Sequence, residues 1–463
     1  MSQTDFSTLK LQPALLKNLQ SIGYAHMTPI QAMALPPILA GSDVIGQGKT
    51  GSGKTAAFGL GLLEKLNVKR FRVQALVLCP TRELADQVAK EIRTLARSIH
   101  NIKVLTLCGG MPFGPQLGSL EHGAHIVVGT PGRIEEHVRK GALKLDDLNI
   151  LVLDEADRML EMGFQEALDA IIDQTPVNRQ TLLFSATFPR QIESIAARVM
   201  KNPVMVKVDA THDSAVIAQH FYEVADDEEE RKQALRQLLL HHQPASAVVF
   251  CNTKLDTREV ADDLREHGFS ALALHGDLEQ RERDQALVRF SNGSASILVA
   301  TDVAARGLDI EALDAVFNYH LARESEVHIH RIGRTGRAGS HGIACSLYSS
   351  KEQFKVARLA KFLDQDLSGE PLPAESVLET TPRQPTMATL QIDGGKRQKI
   401  RPGDILGALT GVDGINGADV GKINVFANWA YVAVKRESAA AALKKLCHGK
   451  LKGRAIRARR IRG

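Results

Sequence analysis

Short runs composed mostly of apolar residues recur along the first half of the chain, with helix-like stretches between them. They occupy residues 75–79, 104–107, 126–129, 150–153, 181–184 and 204–208. Short apolar runs are typical of strands buried on both faces. Their alternation with helices predicts an α/β unit, a parallel sheet with helices on both faces, over residues 1–208.

The same rhythm restarts after a polar segment, residues 209–216, which we interpret as a linker. The apolar runs of this second predicted α/β unit, residues 217–365, are 247–251, 271–274, 297–300, 315–318 and 343–347. A second break, residues 366–385, contains four prolines among polar residues, so we expect it to be extended and poor in regular structure. We therefore expect the C-terminal domain to be tethered to the body rather than packed on it.

The C-terminal domain, residues 386–463, has a different pattern. It predicts strand 388–392, helix 404–409, strand 422–425, strand 431–434, helix 438–446 and strand 455–461. This βαββαβ order is the ferredoxin-like α+β arrangement that RNA-recognition motifs use.

Charge is unevenly distributed between these parts. Of the 58 Lys and Arg and the 53 Asp and Glu in the chain, residues 384–463 hold 16 and 5, which leaves 42 and 48 for residues 1–383. A basic domain behind a mildly acidic body indicates a polyanionic partner, although solvated lysines on an ordinary surface would give the same composition.

Composition excludes several classes of protein. The 463 residues are 44% hydrophobic, but no apolar run approaches the roughly 18 residues of a membrane span, and the polar start lacks the features of a signal peptide. We expect a cytoplasmic protein with no membrane partner. Its five cysteines lack metal-type spacing, and we expect free, mostly buried thiols.

The glycine-rich segment 48–55, GKTGSGKT, matches the sequence motif of a phosphate-binding P-loop. Side chains at Gly51 or Gly53 would obstruct the close approach of the backbone to a phosphate. Lys54 has the reach to span the β- and γ-phosphates, and the Thr55 hydroxyl is a Mg²⁺ ligand in such loops. The string predicts a nucleotide site.

An acidic pair, Asp154 and Glu155, follows the apolar run at 150–153. The run places Asp154 at the carboxyl end of a buried parallel strand, where open α/β sheets bind ligands. A carboxylate there would hold the Mg²⁺ ion of a bound nucleotide, so the two segments together predict an NTPase.

Further strings follow in a fixed order along both α/β units. They are GYAHMTPIQ (23–31), PTRELA (80–85), Gly109-Gly110, TPGR (130–133), SAT (185–187), 248–253, 280–283, TDVAARGLDI (301–310) and HRIGRTGR (330–337). In this order they resemble the motifs of DEAD-box RNA helicases over about residues 6–350. The resemblance implies two tandem RecA-like domains that hydrolyse ATP with Mg²⁺ and act on RNA. One departure is Gly48, where the family usually has alanine.

The resemblance also implies roles for individual residues. Gln31 resembles the reader of the adenine edge and Phe6 the aromatic that stacks on the base, although Gln31 would also serve as a simple helix cap. The implied ATP-binding set is Phe6, Gln31, Thr50, Gly51, Ser52, Gly53, Lys54, Thr55 and Asp302, with Thr55 and Asp154 as Mg²⁺ ligands. The implied catalytic set is Lys54, Asp154, Glu155, Arg334 and Arg337.

Within that catalytic set, Glu155 would orient or deprotonate the attacking water, and Arg334 and Arg337 would act as arginine fingers on the γ-phosphate. The spacing of Arg331, Arg334 and Arg337 predicts guanidiniums near one face of a helix, which repel one another unless an anion lies among them. A solvated basic face is the alternative.

The resemblance assigns coupling between ATP and RNA to Asp157, Ser185, Thr187 and His330, with helix capping as the alternative for Ser185. It assigns contacts with the RNA backbone to Arg82, Gly110, Thr130, Arg133, Thr253, Arg283 and Thr301. Hydroxyls, glycine amides and arginines suit phosphates and 2′-hydroxyls and read no bases, so the helicase core should be indifferent to sequence. Arg82 or Arg133 would be only surface charge in the alternative interpretation.

The C-terminal domain departs from the usual RNA-recognition motif because its first strand carries no aromatic residue, whereas Phe426, Trp429 and Tyr431 lie in its third region. Trp429 has a core role or a stacking role. We expect RNA to be gripped instead by a basic set comprising Lys396, Arg397, Lys399, Arg401, Lys450, Lys452, Arg454 and Arg457.

Within the family, residues 392–396 and 401–411 resemble a bacterial branch whose members bind a hairpin of 23S ribosomal RNA and act in assembly of the large ribosomal subunit. We therefore expect a monomeric enzyme that binds this hairpin and precursor ribosomal particles, not DNA. The alternatives are a general RNA helicase without ribosomal specificity, a non-catalytic RNA-binding scaffold and a DNA-translocating helicase.

Overall fold

The computed structural model describes residues 5–48, 51–188, 190–208, 217–305, 313–336 and 341–461. The chain divides into two compact units, of which the first contains the N-terminal sheet and the second contains the other α/β sheet together with the C-terminal domain. The predicted linker 209–216, Thr50 and Arg337 lie outside the described residues.

The first unit is built on a parallel sheet. In the described chain its strands are β1 (Val44–Gln47), β2 (Ala75–Leu78), β3 (Val104–Leu107), β4 (Ile126–Gly129), β5 (Ile150–Asp154), β6 (Gln180–Ser185) and β7 (Val204–Lys207). They lie in the order β3-β4-β2-β5-β6-β1-β7. The sequence pattern missed β1 because Gly46 and Gln47 interrupt its apolar run. Gly46 is required there, since a Cβ would lie 2.4 Å from the ring of Phe184.

Helices cover both faces of this sheet. They are α1 (Pro13–Ser21), α2 (Pro29–Ala40), α3 (Lys54–Lys65), α4 (Arg82–Leu95), α5 (Phe113–Glu121), α6 (Pro131–Arg139), α7 (Ala156–Glu161), α8 (Gln165–Ile172) and α9 (Arg190–Val199). Separate hydrophobic clusters lie on either side of the strands, because alternate strand residues point to opposite faces. This confirms the predicted α/β architecture.

The second unit begins with another parallel sheet. Among the described residues its strands are β8 (Ile217–Glu223), β9 (Ala247–Cys251), β10 (Ala271–Leu274), β11 (Ile297–Thr301), β12 (Ala315–Asn318), β13 (Gly342–Tyr348) and β14 (Gly369–Glu370), in the order β10-β11-β9-β12-β13-β8-β14. The pattern missed β8, which is only partly buried, and β14, which lies in the Pro-rich segment. The helices are α10 (Glu228–His242), α11 (Lys254–Glu266), α12 (Gln280–Ser291), α13 (Asp302–Ala305), α14 (Ser325–Ile332) and α15 (Gln353–Leu363).

The C-terminal domain is the predicted ferredoxin-like fold. Its elements are β15 (Met387–Ile392), α16 (Pro402–Thr410), β16 (Val420–Val425), β17 (Ala430–Lys435), α17 (Ala439–His448), β18 (Lys450–Leu451), β19 (Arg454–Ala455) and β20 (Ala458–Arg460). Within residues 387–461 the main sheet is antiparallel in the order β16-β17-β15-β20. The predicted last strand is divided, because β18 and β19 form a separate hairpin before β20.

The Pro-rich segment packs on the second unit, so the prediction of a free tether is wrong. Leu372, Val377 and Leu378 rest against the core beside α10. The backbone N–H of Arg383 donates to Gln243 Oε1 at 3.0 Å, and Gln384 Nε2 donates to the carbonyl of Gly268 at 3.0 Å. The apolar residues between the prolines pack against the core, whereas the composition of the segment predicted an extended, solvent-exposed chain.

The C-terminal domain also contacts the second α/β sheet's helices through its open sheet face. Thr389, Gln391 and Tyr431 lie on the face opposite the domain's own core, yet each is at most 1% exposed. Thr389 Oγ1 accepts a hydrogen bond from Asn292 Nδ2 at 2.9 Å and lies 2.6 Å from Ser294 Oγ. The face on which RNA-recognition motifs usually stack bases is therefore covered by protein.

All five cysteines are free, and Cys79, Cys108, Cys251 and Cys345 are buried while Cys447 is exposed, as expected. In the part of the chain that the structure describes, no helix has the length and apolar character needed to cross a membrane.

The packing of the Pro-rich segment can be tested by limited proteolysis with trypsin after Arg383. Gln243 has left-handed backbone geometry, which asparagine tolerates, so Gln243→Asn shortens the amide without straining the chain. We expect cleavage after Arg383 to accelerate about three- to tenfold, in proportion to the population of open segment. Gln365→Asn, at an exposed position just beyond α15, is the matched control, and equal cleavage rates in the two variants would show that the segment is not held by Gln243.

Candidate functional site

The carboxyl edge of the first sheet divides the motif residues into two groups. Segments implicated in ATP binding follow β1, β5 and β6, whereas those implicated in RNA binding follow β2, β3 and β4. In the order β3-β4-β2-β5-β6-β1 these groups occupy adjacent halves of one sheet edge. Strand order alone thus separates the two groups of segments while keeping both on one edge of the same sheet.

The P-loop lies between β1 and α3 and is braced from several sides. The N–H of Gly48 donates to the carbonyl of Ser185 at 3.1 Å, and Lys54 Nζ donates to the carbonyl of Gly48 at 2.8 Å. Gly51 and Gly53 have φ of 78° and 93°, which favours glycine. Lys54 is only 6% exposed, so the loop presents a preplaced ammonium with two further donors for an anion.

Gln31 occupies a capping position and also touches the P-loop. Its Oε1 accepts from the N–H of Thr28 at 2.9 Å, and its Nε2 donates to the carbonyl of Gly53 at 3.1 Å. Thr28 Oγ1 donates to the carbonyl of Ser52 at 2.7 Å, a contact that the sequence did not indicate. One N–H and one lone pair of the Gln31 amide stay available for a base edge. Helix capping and adenine recognition are therefore compatible.

Phe6 lies in the hydrophobic core of the first unit and is 3% exposed. Its ring centroid is 6.3 Å from that of Tyr24, another residue that the sequence did not single out. The aromatic side chain therefore anchors the N-terminal segment beside α2, and stacking on adenine stays a prediction.

The acidic pair lies at the end of β5 and is almost wholly buried. Burial raises the pKa of Asp154 to about 7, although the nearby Lys54 ammonium opposes the shift. Burial also acts to raise the pKa of Glu155, but the guanidinium of Arg158, paired with it, and Lys54 hold it below its ordinary value. Glu155 has left-handed backbone geometry, with φ of 51°, which turns the chain sharply from strand into α7. Arg158 was not anticipated from the sequence.

The donors near this pair suit a magnesium ion. The Asp154 carboxylate and the Thr55 hydroxyl are hard oxygen ligands, which Mg²⁺ prefers. A divalent cation would also stabilise the charged form of a carboxylate that burial otherwise disfavours.

Asp157 joins β5 to the segment after β6. Its Oδ2 accepts hydrogen bonds from the N–H of Thr187 at 2.9 Å and from Thr187 Oγ1 at 2.8 Å, and its own N–H donates to Ser185 Oγ at 3.3 Å. Burial acts to raise the pKa of Asp157, but the Thr187 hydrogen bonds keep it low, so the carboxylate is ionised. The structure thus brings these three residues together next to Glu155.

The other half of the sheet edge brings Gly110, Thr130 and Arg133 together. The N–H of Gly109 donates to Thr130 Oγ1 at 3.4 Å, and Arg133 Nη1 donates to the carbonyl of Met111 at 2.8 Å. The Arg133 guanidinium also lies 5.9 Å from the ring centroid of Phe113, an aromatic that the sequence analysis missed. These contacts fix a polar surface at the ends of β3 and β4.

Arg82 lies on the neighbouring segment after β2. It begins α4, and its guanidinium lies 3.7 Å from Asp86.

In the second unit Arg331 and Arg334 do not share a helix face, so that part of the prediction is wrong. Helix α14 ends at Ile332, before Arg334, and Gly333 follows at its end. Arg331 is 1% exposed and pairs with both carboxylate oxygens of Asp302 at 2.6 and 2.7 Å. Its charge is thus neutralised within the unit, without a bound anion. The sequence spacing could not distinguish this buried pair from a basic surface.

The remaining predicted residues of this unit lie around α13. Arg283 Nη2 donates to the carbonyl of Ala304 at 3.0 Å, and Thr301 Oγ1 accepts from the N–H of Ala304 at 3.4 Å. Thr253 caps α11. Asp302, His330 and Arg334 line one shallow cleft of the unit.

The basic set of the C-terminal domain is exposed and continuous. It consists of Lys396, Arg397, Lys399, Arg401, Lys450, Lys452, Arg454 and Arg457. An ion pair of 3.2 Å between Lys452 and Asp404 joins the β18–β19 hairpin to α16, next to the loop after β15. These residues therefore form one surface, which we call the loop–hairpin surface.

Trp429 has an aromatic contact and a cationic one. Its ring stacks near Phe426, with centroids 6.2 Å apart, and the Arg281 guanidinium lies 5.1 Å from its centroid.

Each of the two α/β units and the C-terminal domain matches a known protein family. Residues 28–195 match the DEAD/DEAH box helicase family, residues 230–339 the helicase conserved C-terminal domain, and residues 389–460 the DbpA RNA binding domain. The chain is 56% identical to the ATP-dependent RNA helicase DbpA of Escherichia coli, over 99% of this chain and 100% of that one. It is 35% identical to DbpA of Bacillus subtilis, over 98% of both chains.

A solved structure of Saccharomyces cerevisiae Dbp5 bound to RNA and ADP BeF3 is also similar. It is 29% identical, with a TM-score of 0.71, and the match covers 82% of this chain and 100% of that one.

Two glycines of the P-loop should respond differently to alanine. A Cβ on Gly53 would lie 2.5 Å from Gln31 Nε2 on left-handed backbone, whereas a Cβ on Gly48 would approach Ser52 Oγ only to 3.3 Å. Calorimetric titration with an ATP analogue should show at least about tenfold weaker binding for Gly53→Ala, given the cost of such strain, and about wild-type binding for Gly48→Ala. Equal affinities in the two variants would contradict the brace between Gln31 and the loop.

Proposed function

The chain belongs to the DEAD-box family of ATP-dependent RNA helicases, and we propose that its C-terminal domain directs this activity to a hairpin of 23S ribosomal RNA during assembly of the large subunit. The single observation that carries the proposal is the contrast between two surfaces of the C-terminal domain. Its sheet face is covered, while its loop–hairpin surface is basic and exposed. A ribosomal target would place the protein in the bacterial cytoplasm.

ATP hydrolysis requires positioning and charge stabilisation more than covalent chemistry. In the proposed mechanism, the backbone of the P-loop and Lys54 hold the phosphates, and Gln31 reads the adenine edge. Glu155, kept ionised by Arg158, orients the attacking water. Arg334 and Arg337 act as the arginine fingers that the family resemblance implies.

Thr55 and Asp154 would hold Mg²⁺, which supplies charge neutralisation at the phosphates. The support is the pair of hard oxygen donors described above.

RNA recognition would be divided between the helicase core and the C-terminal domain. Arg82, Thr130 and Arg133 in the first unit, like Thr253 and Arg283 in the second, offer hydroxyl and guanidinium donors that suit phosphates and 2′-hydroxyls. No base is read by such contacts, so the core alone would act on RNA of any sequence. Dbp5, to which the core is similar, was solved with RNA and a nucleotide bound, which supports this assignment.

Specificity would then come from the loop–hairpin surface. Its arginines and lysines extend from the loop after β15 to the β18–β19 hairpin, an arrangement suited to the phosphates of a folded RNA. The resemblance of residues 392–396 and 401–411 to the ribosome-directed branch of the family supports the hairpin as the RNA.

ATPase assays with two RNAs of equal length test the proposal. One contains the 23S hairpin with a single-stranded extension and the other has the same composition in scrambled order. We expect the hairpin RNA to stimulate hydrolysis at a concentration at least about a hundredfold lower, as is usual for specific over non-specific binding. Equal stimulation by both RNAs would instead favour a general RNA helicase.

A charge-reversal pair tests the surface. Lys396→Glu reverses a charge on the loop–hairpin surface. The matched control, Lys444→Glu, reverses the charge of an exposed lysine on α17. We expect the first to weaken hairpin binding about tenfold at moderate salt and to lower the salt dependence, and the second to change neither. Equal losses in both variants would indicate a diffuse charge effect rather than a binding surface.

A further inference from the structure

The C-terminal domain holds α12 of the second unit at both of its ends. At the N-terminal end, the Arg281 guanidinium lies 5.1 Å from the ring centroid of Trp429. At the C-terminal end, Lys422 Nζ donates to the carbonyl of Ser291 at 2.8 Å. Asn292, immediately after the helix, donates to Thr389. The helix is thus fixed along its length by one face of another domain.

The turn that carries Trp429 is also attached to the loop–hairpin surface. The N–H of Lys396 donates to the carbonyl of Phe426 at 2.8 Å, and the N–H of Arg397 donates to the carbonyl of Ala427 at 3.0 Å. Gly395 permits this approach, because a Cβ there would lie 2.3 Å from the carbonyl oxygen of Phe426. RNA that orders the loop would therefore act directly on the turn.

The first turn of α12 reaches the motif residues around α13. Arg283, two residues beyond Arg281, donates to the carbonyl of Ala304 at 3.0 Å. Ala304 lies in α13, which begins at Asp302, the residue held by Arg331. The contacts form a continuous series from the loop–hairpin surface to a residue assigned to the RNA backbone.

Two buried polar atoms near the contact between Arg281 and Trp429 lack hydrogen-bond partners. Within the described residues, Trp429 Nε1 and Asn424 Oδ1 are buried without a hydrogen-bond partner. Buried polar groups normally find partners, so a rearrangement of this contact that gave these atoms partners would recover hydrogen bonds that burial has cost. Arg281 itself is exposed, so its side chain can reorient with the turn.

We propose that Arg281 is a positioning residue, through which the RNA-loaded C-terminal domain sets α12, and with it Arg283, for the RNA strand on the helicase core. The proposal rests on the proposed recognition of RNA by the loop–hairpin surface. In it, Trp429 receives the Arg281 guanidinium, and the hydrogen bonds at Ser291 and Thr389 keep the far end of α12 fixed.

Hydrogen exchange of the α12 amides in the full-length protein, without RNA, tests the contact between Arg281 and Trp429 itself. Arg281→Ala should raise the exchange rates in the first turns of α12 about three- to tenfold, as expected for loss of one cation–π contact, and leave those of α11 unchanged. Arg281→Lys should retain most of the protection, because an ammonium also binds the ring face. Arg265→Ala, which removes an exposed arginine paired with Asp262 on α11, is the matched control. Unchanged α12 exchange in Arg281→Ala would overturn the proposal.

ATPase titrations with the hairpin RNA test the functional consequence. Arg281→Ala should bind the isolated hairpin about as tightly as the wild type, yet reach a maximal RNA-stimulated rate about tenfold lower, a usual size for coupling between sites. Trp429→Ala should give the same loss, and the double variant should lose no more than either single one. A wild-type maximal rate in Arg281→Ala, or additive losses in the double variant, would overturn the proposal.

The two proposals fail separately. If the wild-type protein does not distinguish the hairpin from scrambled RNA, recognition of the hairpin is refuted, while the exchange rates of α12, measured without RNA, still decide the role of Arg281.

Discussion

The hydrogen bonds between Asp157 and Thr187 join the two strands on which the rest of the nucleotide site depends. Asp157 follows Glu155 at the end of β5, and Thr187 follows Ser185 at the end of β6. The P-loop is attached to the same place, since Gly48 donates to the carbonyl of Ser185. Because the Asp157 carboxylate is buried and ionised, losing its partners would leave an unpaired charge in the interior. A displacement of the segment after β5 would therefore also displace the segment after β6, and the reverse.

In a parallel sheet this connection lies on the same edge as both the segments proposed to bind ATP and those proposed to bind RNA. All carboxyl ends of parallel strands lie on one edge, so residues far apart in sequence become neighbours by strand order alone. In the first unit the segments proposed to bind the nucleotide follow β5, β6 and β1, and those proposed to bind RNA follow β2, β4 and β3. In the second unit Arg283, Thr301 and Asp302 are similarly grouped around α13. In the second unit, the C-terminal domain also contacts both ends of α12, an interaction that does not involve the edge of a sheet.

Much of this organisation could be predicted from the sequence, for identifiable reasons. Continuous apolar runs such as residues 150–153 and 247–251 coincide with strands, because full burial leaves a local signal. Strand β1 was missed because Gly46 interrupts its apolar run. The glycine is required by close packing against Phe184, a residue that is distant in sequence. Arg331 was misjudged for the same reason, since its partner Asp302 lies on another segment. The packing of residues 366–385 depends on Leu372 and Val377 meeting a core that composition does not reveal.

The most direct test of the account is the number of base pairs separated per ATP hydrolysed in a Thr187→Val variant, compared with the wild type. Valine keeps the shape and the backbone N–H but removes the hydroxyl that donates to Asp157. If this bond couples the nucleotide half of the sheet edge to the RNA half, ATP binding should persist while the yield of unwinding per ATP falls about tenfold, a usual size for such a coupling. An unchanged yield, or a loss of ATP binding that accounts for all of the lost unwinding, would contradict the account.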